Sequence, residues 1–254
     1  MIGRYGAIAT LTLFVAVVRP AAVAADPDAR EIVQRSDSTM RGSSSYAEMT
    51  MRIVRPDWSR EMSLKAWSLG DEHSLILVTA PARDKGTVTL KRDTEVWSYV
   101  PGIERVIKIP PSMMLQSWLG SDFTNDDLVK ESSIVEDYEH ALAGDSVLDG
   151  HRCYRVIMLP HEDAAVVWGK VVLFITKEHF LQVRTELFDE DSVLTKILTG
   201  DRLKSMGGRM VPSRMTMQPV DKPEQRTVLE YSELDFNVAL EESYFSLQNM
   251  KRVR

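Results

Sequence analysis

The chain has 254 residues, 44% of them hydrophobic and 27% charged, and its 31 Lys and Arg against 37 Asp and Glu give a formal net charge of −6. An acidic chain without a basic block is a poor match for nucleic acid or for electrostatic adsorption to an anionic membrane. Cys153 is the sole cysteine, which excludes an intramolecular disulfide and favours a buried thiol in an oxidising compartment.

Residues 1–25 read as a cleavable export signal. Arg4 supplies the basic start, Ala7 to Val18 is an apolar run too short to span a bilayer, and Ala22-Val23-Ala24-Ala25 offers a small-residue cleavage site before Asp26. No cysteine follows the apolar run, so no lipid attachment is expected at the new N-terminus, and a periplasmic protein is expected. Residues 26–254 then form one domain.

Asp26 to Gly42 predicts an amphipathic helix, with Asp26 as cap, Ala29, Ile32, Val33, Ser36 and Met40 on one face, and Gly42 as the stop. Beyond Gly42 the chain turns strand-like. Ala47 to Ile53 alternates cleanly, and Glu61–Leu69, Glu72–Thr79, Thr87–Lys91, Glu95–Val100 and Glu104–Ile109 continue the pattern, with turns at Gly70-Asp71 and Pro101-Gly102. After the middle of the chain come Cys153–Leu159, Lys170–Thr176, Phe180–Phe188, Ser192–Ser205, Met210–Gln218 and Thr227–Leu234. Gly144-Asp145, Asp149-Gly150 and Gly207-Gly208 read as breaks. Strands at this spacing without interleaved helices predict one antiparallel sheet.

Between the two runs of strands, Pro110-Pro111 ends a strand and Ser112 can cap a short helix over Met113 to Leu119, which Gly120 stops. That helix is oily on more than one face, so it either buries itself or closes a pocket. Asp122 or Thr124 then opens a second helical turn, with Phe123 pointing inward. The 13 methionines, with Trp67, Trp97, Tyr99 and Trp118, point to a soft apolar cavity able to repack around varied ligands.

Catalytic patterns are missing. There is no Gly-x-Ser-x-Gly, no phosphate loop and no His-Glu-x-x-His. His151-x-Cys153 lacks further ligands for zinc, His161-Glu162-Asp163 reads as a solvated loop, and the carboxylates of adjacent Asp126 and Asp127 diverge on a helix. The sequence predicts neither an enzyme nor a bound metal or cofactor.

The succession Tyr99-x-Pro101, Arg105-Val106-x-x-Ile109 and Leu119-Gly120-Ser121-Asp122-Phe123 through Asp127-Leu128 resembles the LolA-like family of periplasmic outer-membrane lipoprotein-sorting proteins. The resemblance extends over roughly residues 28–250. It implies an incomplete antiparallel β-barrel of about eleven strands with an N-terminal helix and a helical lid. It also implies a carrier of lipoprotein or lipid acyl chains between an inner-membrane exporter and an outer-membrane acceptor. On that reading Trp67, Trp97, Tyr99, Met113, Met114, Trp118 and Phe123 surround the cavity mouth, Gly120, Asp122 and Asp127 shape the lid, and Arg52 and Arg105 are candidate polar latches. The rival expectation is a scaffold subunit of a membrane exporter, without cargo of its own.

Overall fold

A computed structural model describes residues 27–130, 134–164 and 166–253; the expected export signal and Asp26 lie outside the described residues. The first element among the described residues is helix α1 (Ala29–Arg41). Its buried stripe of Ala29, Ile32, Val33 and Ser36 follows the predicted face, Asp28 stands at the N-cap, and Gly42, at φ 69°, ends the helix. Among the described residues, thirteen strands follow in a single open antiparallel sheet. They are β1 (Ser44–Val54), β2 (Ser59–Leu69), β3 (His73–Ala80), β4 (Val88–Arg92), β5 (Glu95–Val100), β6 (Arg105–Lys108), β7 (Tyr138–Leu148), β8 (His151–Pro160), β9 (Lys170–Thr176), β10 (Gln182–Phe188), β11 (Leu194–Met206), β12 (Arg209–Pro219) and β13 (Arg226–Phe236). A short helix, α2 (Asn125–Lys130), lies between β6 and β7.

Sheet order runs β6-β5-β4-β3-β2-β1-β13-β12-β11-β10-β9-β8-β7. The chain meanders outward from β1 to β6, crosses to the opposite edge, and meanders back from β7 to β13, which pairs with β1. The two edge strands are therefore consecutive in sequence, and residues 109–137 connect them.

Two sequence expectations need correction. The strands number thirteen rather than about eleven, and β7 is one that the pattern concealed. Gly144, at φ 92°, sits inside β7, where the register slips between Leu142 and Asp145, so the pair read as a turn is an irregularity in an edge strand. The expected lid helix over Met113–Leu119 is also absent. Two 3-10 turns, Pro111–Met113 and Trp118–Gly120, stand there instead, with Leu119 at φ 51°.

Cross-strand partners share a face, so register defines the two sides of the sheet. One row runs Leu142–Val156–Leu173–Thr185–Leu198–Met217–Thr227–Ile53. This inner face carries α1, whose Ile32 and Val33 pack with Val156, Met158, Leu173 and Met217. The opposite, outer face carries the row Tyr46–Trp67–Leu75–Leu90–Trp97. It is covered by the C-terminal residues Phe245, Met250 and Val253.

Cys153 lies in a second outer-face cluster with Val172, Phe174, Leu181 and Val183, and it is fully buried. Burial pushes its thiol above the ordinary cysteine value, which lowers the thiolate fraction further. The folded protein is expected to react slowly with a thiol reagent and to label stoichiometrically only in denaturant. Fast labelling of the native state would contradict the packing.

Candidate functional site: a plug on the inner face

The connection from β6 to β7 does not skirt the sheet; it enters its inner face. Trp118 is 5% exposed and packs among Met51, Ile53, Met62, Leu64 and Val78, while its indole Nε1 donates to Thr89 Oγ1 at 3.1 Å. Phe123 joins this cluster to the one beneath α1. The intervening turn is self-supporting. Trp118 N donates to the Phe123 carbonyl at 2.8 Å, Ser121 Oγ donates to the Trp118 carbonyl at 2.7 Å, and Ser117 bridges Thr124. The residues Leu119-Gly120 turn the chain sharply, both at positive φ.

Asp122 fastens this plug to the sheet. Its carboxylate, 6% exposed, accepts from Thr227 Oγ1 at 2.7 Å and from the Arg55 guanidinium at 3.1 Å. Its amide donates to Thr227 Oγ1 at 2.9 Å, and its carbonyl accepts from Lys196 Nζ at 2.7 Å. Arg55 also reaches the Gly120 carbonyl at 3.2 Å. A buried carboxylate is tolerated when it is paired and hydrogen-bonded, and here both bonds converge on Oδ2. The Asp122 anchor thus falls on Thr227, in the strand where the two meanders meet.

Thr124 and Asp127 form a reciprocal cap for α2: Thr124 N donates to Asp127 Oδ2 at 2.7 Å and Asp127 N donates to Thr124 Oγ1 at 3.1 Å. Of the two candidate capping residues, Thr124 therefore caps α2, while Asp122 serves the sheet. Asn125 and Asp126 hold the start of the connection through the Met113, Met114 and Gln116 carbonyls. The Trp168 indole reaches Asp127 Oδ1 at 3.4 Å. Beside this end, burial and the charges of Asp126, Asp137 and Asp127 push the Tyr138 phenol far up, so it stays protonated.

The predicted cavity residues divide between the two faces. Trp118 and Phe123 meet on the inner face with Met49, Met51 and Met62. Trp67, Trp97 and Tyr99 lie together on the outer face, where Tyr244 packs against Trp67 with ring centroids 5.6 Å apart. Met113 is 36% exposed and Met114 is half-buried, both at the rim. Gly120 sits in the plug's turn. Arg52 makes an exposed ion pair with Glu61 on the outer side, and Arg105 is exposed on edge strand β6. The cations that grip the plug are Arg55, at the Asp122 carboxylate, and Lys196, at the Asp122 carbonyl. Sequence reasoning missed both, together with Thr227 and Thr89, because the partners stand far apart along the chain. A separate cleft of about 500 Å³ beside the C-terminal segment is lined by Leu240, Tyr244, Asn249 and Arg252.

Residues 70–252 match a protein family whose description reads "-like: Uncharacterized protein". A solved DUF1329 family protein from Desulfovibrio piger superposes with a TM-score of 0.80 at 25% identity, covering 87% of this chain and 97% of that one. A Vibrio parahaemolyticus domain named for outer-membrane lipoprotein sorting gives 0.78 at 25% identity, with 88% and 98% covered. The chain belongs to this LolA-like family. A LolA superfamily protein from Nitrosomonas europaea shares the LolA-like fold, with a TM-score of 0.74 at 22% identity over 87% of this chain and 98% of that one. A search of curated proteins finds no match. Among the described residues of this LolA-like chain no helix is long and apolar enough to cross a membrane.

Proposed function

We propose that the protein is a periplasmic carrier that takes acyl chains of lipoproteins or lipids onto its inner face and passes them from an inner-membrane exporter to an outer-membrane acceptor. One observation carries this reading. The inner face holds a band of flexible thioethers and aliphatics, Met49, Met51, Met62 and Leu64, and the apolar groups lying on it come from an inserted connection, with the Trp118 side chain at their centre. A connection can withdraw without breaking the sheet, and its withdrawal would present apolar surface of the kind an acyl chain fills. Methionine suits such a surface because its unbranched side chain repacks around different shapes.

The energetics call for a device of this sort. An acyl chain gains about 0.8 kcal/mol per buried methylene, so a single long chain carries on the order of 10 kcal/mol against release into water. A carrier must therefore exchange something for its cargo at loading and unloading, and the plug supplies the exchange. The similarity to a domain named for outer-membrane lipoprotein sorting supports the same cargo class. No catalytic step is assigned to the protein. The test is native mass spectrometry of protein purified without detergent from a bacterial periplasm: co-purifying lipid or lipidated protein is expected, and a uniformly empty protein that also fails to retain added fatty acid would overturn the reading.

A further inference from the structure

Among the described residues, four of twelve exposed large hydrophobics fall within 103–115: Ile103 is 56% exposed, Ile107 44%, Met113 36% and Leu115 63%. They follow one rim of the molecule, from the β5–β6 turn along edge strand β6 into the start of the connection. Between Val96 and Ser121 the only acidic residue is Glu104, whereas Arg105 and Lys108 are both present, in a chain whose overall charge is −6. Lys108 pairs with Glu95 and lies 5.7 Å over the Trp97 ring, which keeps its charge at the strand edge. The rim is continuous with the plug. Ile107 pairs with Ser98 and Ser98 with Thr89, the residue that accepts from the Trp118 indole.

We propose that this rim docks directly on a lipid bilayer, inserting Ile103, Ile107, Met113 and Leu115 into the interfacial layer. An edge that exposes four large apolar side chains within thirteen residues marks an interaction surface. Its charge pattern selects the membrane as the partner. The acidic bulk of the chain is repelled by anionic headgroups, so the approach of lowest energy turns this rim, where Arg105 and Lys108 outnumber Glu104, toward them. Apolar insertion, rather than charge attraction, holds the contact. Docking at Met113 and Leu115 acts on the segment tied through Asn125 and Asp126 to the plug, which places cargo transfer at the surface that receives or supplies it. The purpose of the docking rests on the carrier reading, but the docking itself does not.

The lone buried thiol makes the test selective. A Leu115→Cys variant labelled with an environment-sensitive fluorophore is mixed with vesicles of phosphatidylethanolamine and phosphatidylglycerol, beside a Val193→Cys control. The Leu115 probe is expected to shift to the blue and the control to stay unchanged. Cosedimentation should weaken at least about ten-fold in an Ile103→Ser/Leu115→Ser double variant, both positions being exposed and costing the fold little. Raising salt should leave binding intact, because insertion is not screened. No binding of the unaltered protein, the result expected if a protein partner covers the rim, would overturn the inference. Binding abolished by salt, or equal shifts of both probes, would overturn it too. Docking in a protein that retains no lipid would leave this inference standing while removing the carrier reading.

Discussion

Replacing Trp118 with alanine is expected to lower stability by about 3–5 kcal/mol, a drop in melting temperature of roughly 10 °C for a chain of this size. The indole is 5% exposed, packs on five buried side chains and loses its bond to Thr89. The expected second half of the result is specific to a carrier. A fatty acid that fills the vacated space on the inner face should restore part of the loss, because a ligand bound only to the folded state stabilises it by mass action. Thermal denaturation of both proteins with and without the fatty acid reads both effects. A loss of stability with no ligand response in either protein would make Trp118 an ordinary core residue and count against the proposed function.

Asp122→Ala is expected to cost about 3–5 kcal/mol by itself, because it removes the carboxylate that neutralises the largely buried Arg55 guanidinium and accepts from the Thr227 hydroxyl. Arg55→Ala alone should also be costly, and the double variant should lose less than the sum of the two, by about 0.5–3 kcal/mol. Hydrogen exchange should then rise over residues 113–127 while the amides of β1 and β13 stay protected, since those strands pair with each other independently of the plug. Additive losses with exchange rising throughout the sheet would mean that Asp122 supports the fold as a whole and does not latch one segment.

Much of the architecture was legible in the sequence because the sheet is built from local hairpins. Alternation in Ala47–Ile53 and turn residues at Gly70-Asp71, Pro101-Gly102 and Asp149-Gly150 report contacts between neighbours in the chain. Strand β7 escaped because Gly144-Asp145 has the chemistry of a turn, and a bulge in an edge strand uses the same chemistry. The plug motif was recognisable as a unit, from Leu119 to Asp127, but not as non-helical: an apolar run bounded by proline and glycine is ambiguous, and here tertiary contacts decide its shape. The separation of Trp97 and Tyr99 from Trp118 follows from which face each strand position takes, and that requires register. Arg55 was invisible for a different reason. It lies just beyond the strand read over Ala47–Ile53, and its acidic partner lies 67 residues further on.

The pairing of β1 with β13 has a consequence for how the chain reaches its native state. Each meander forms from contacts between adjacent segments, so each can assemble early at small loop-closure cost. The seam between them joins residues such as Met51 and Leu229 from near opposite ends of the described chain, and it brings together Ile53 and Thr227. Thr227 is where Asp122 docks, and Arg55 and Lys196 reach Asp122 from either side of that seam. The buried side chains of the Trp118 seat lie wholly within the first meander, but the Asp122 anchor is not complete until the most distant pairing in the sheet has formed. A molecule in which only the first meander had formed would offer Trp118 its apolar seat but leave Asp122 without Thr227 and Lys196, so closing the seam is what locks the connection down.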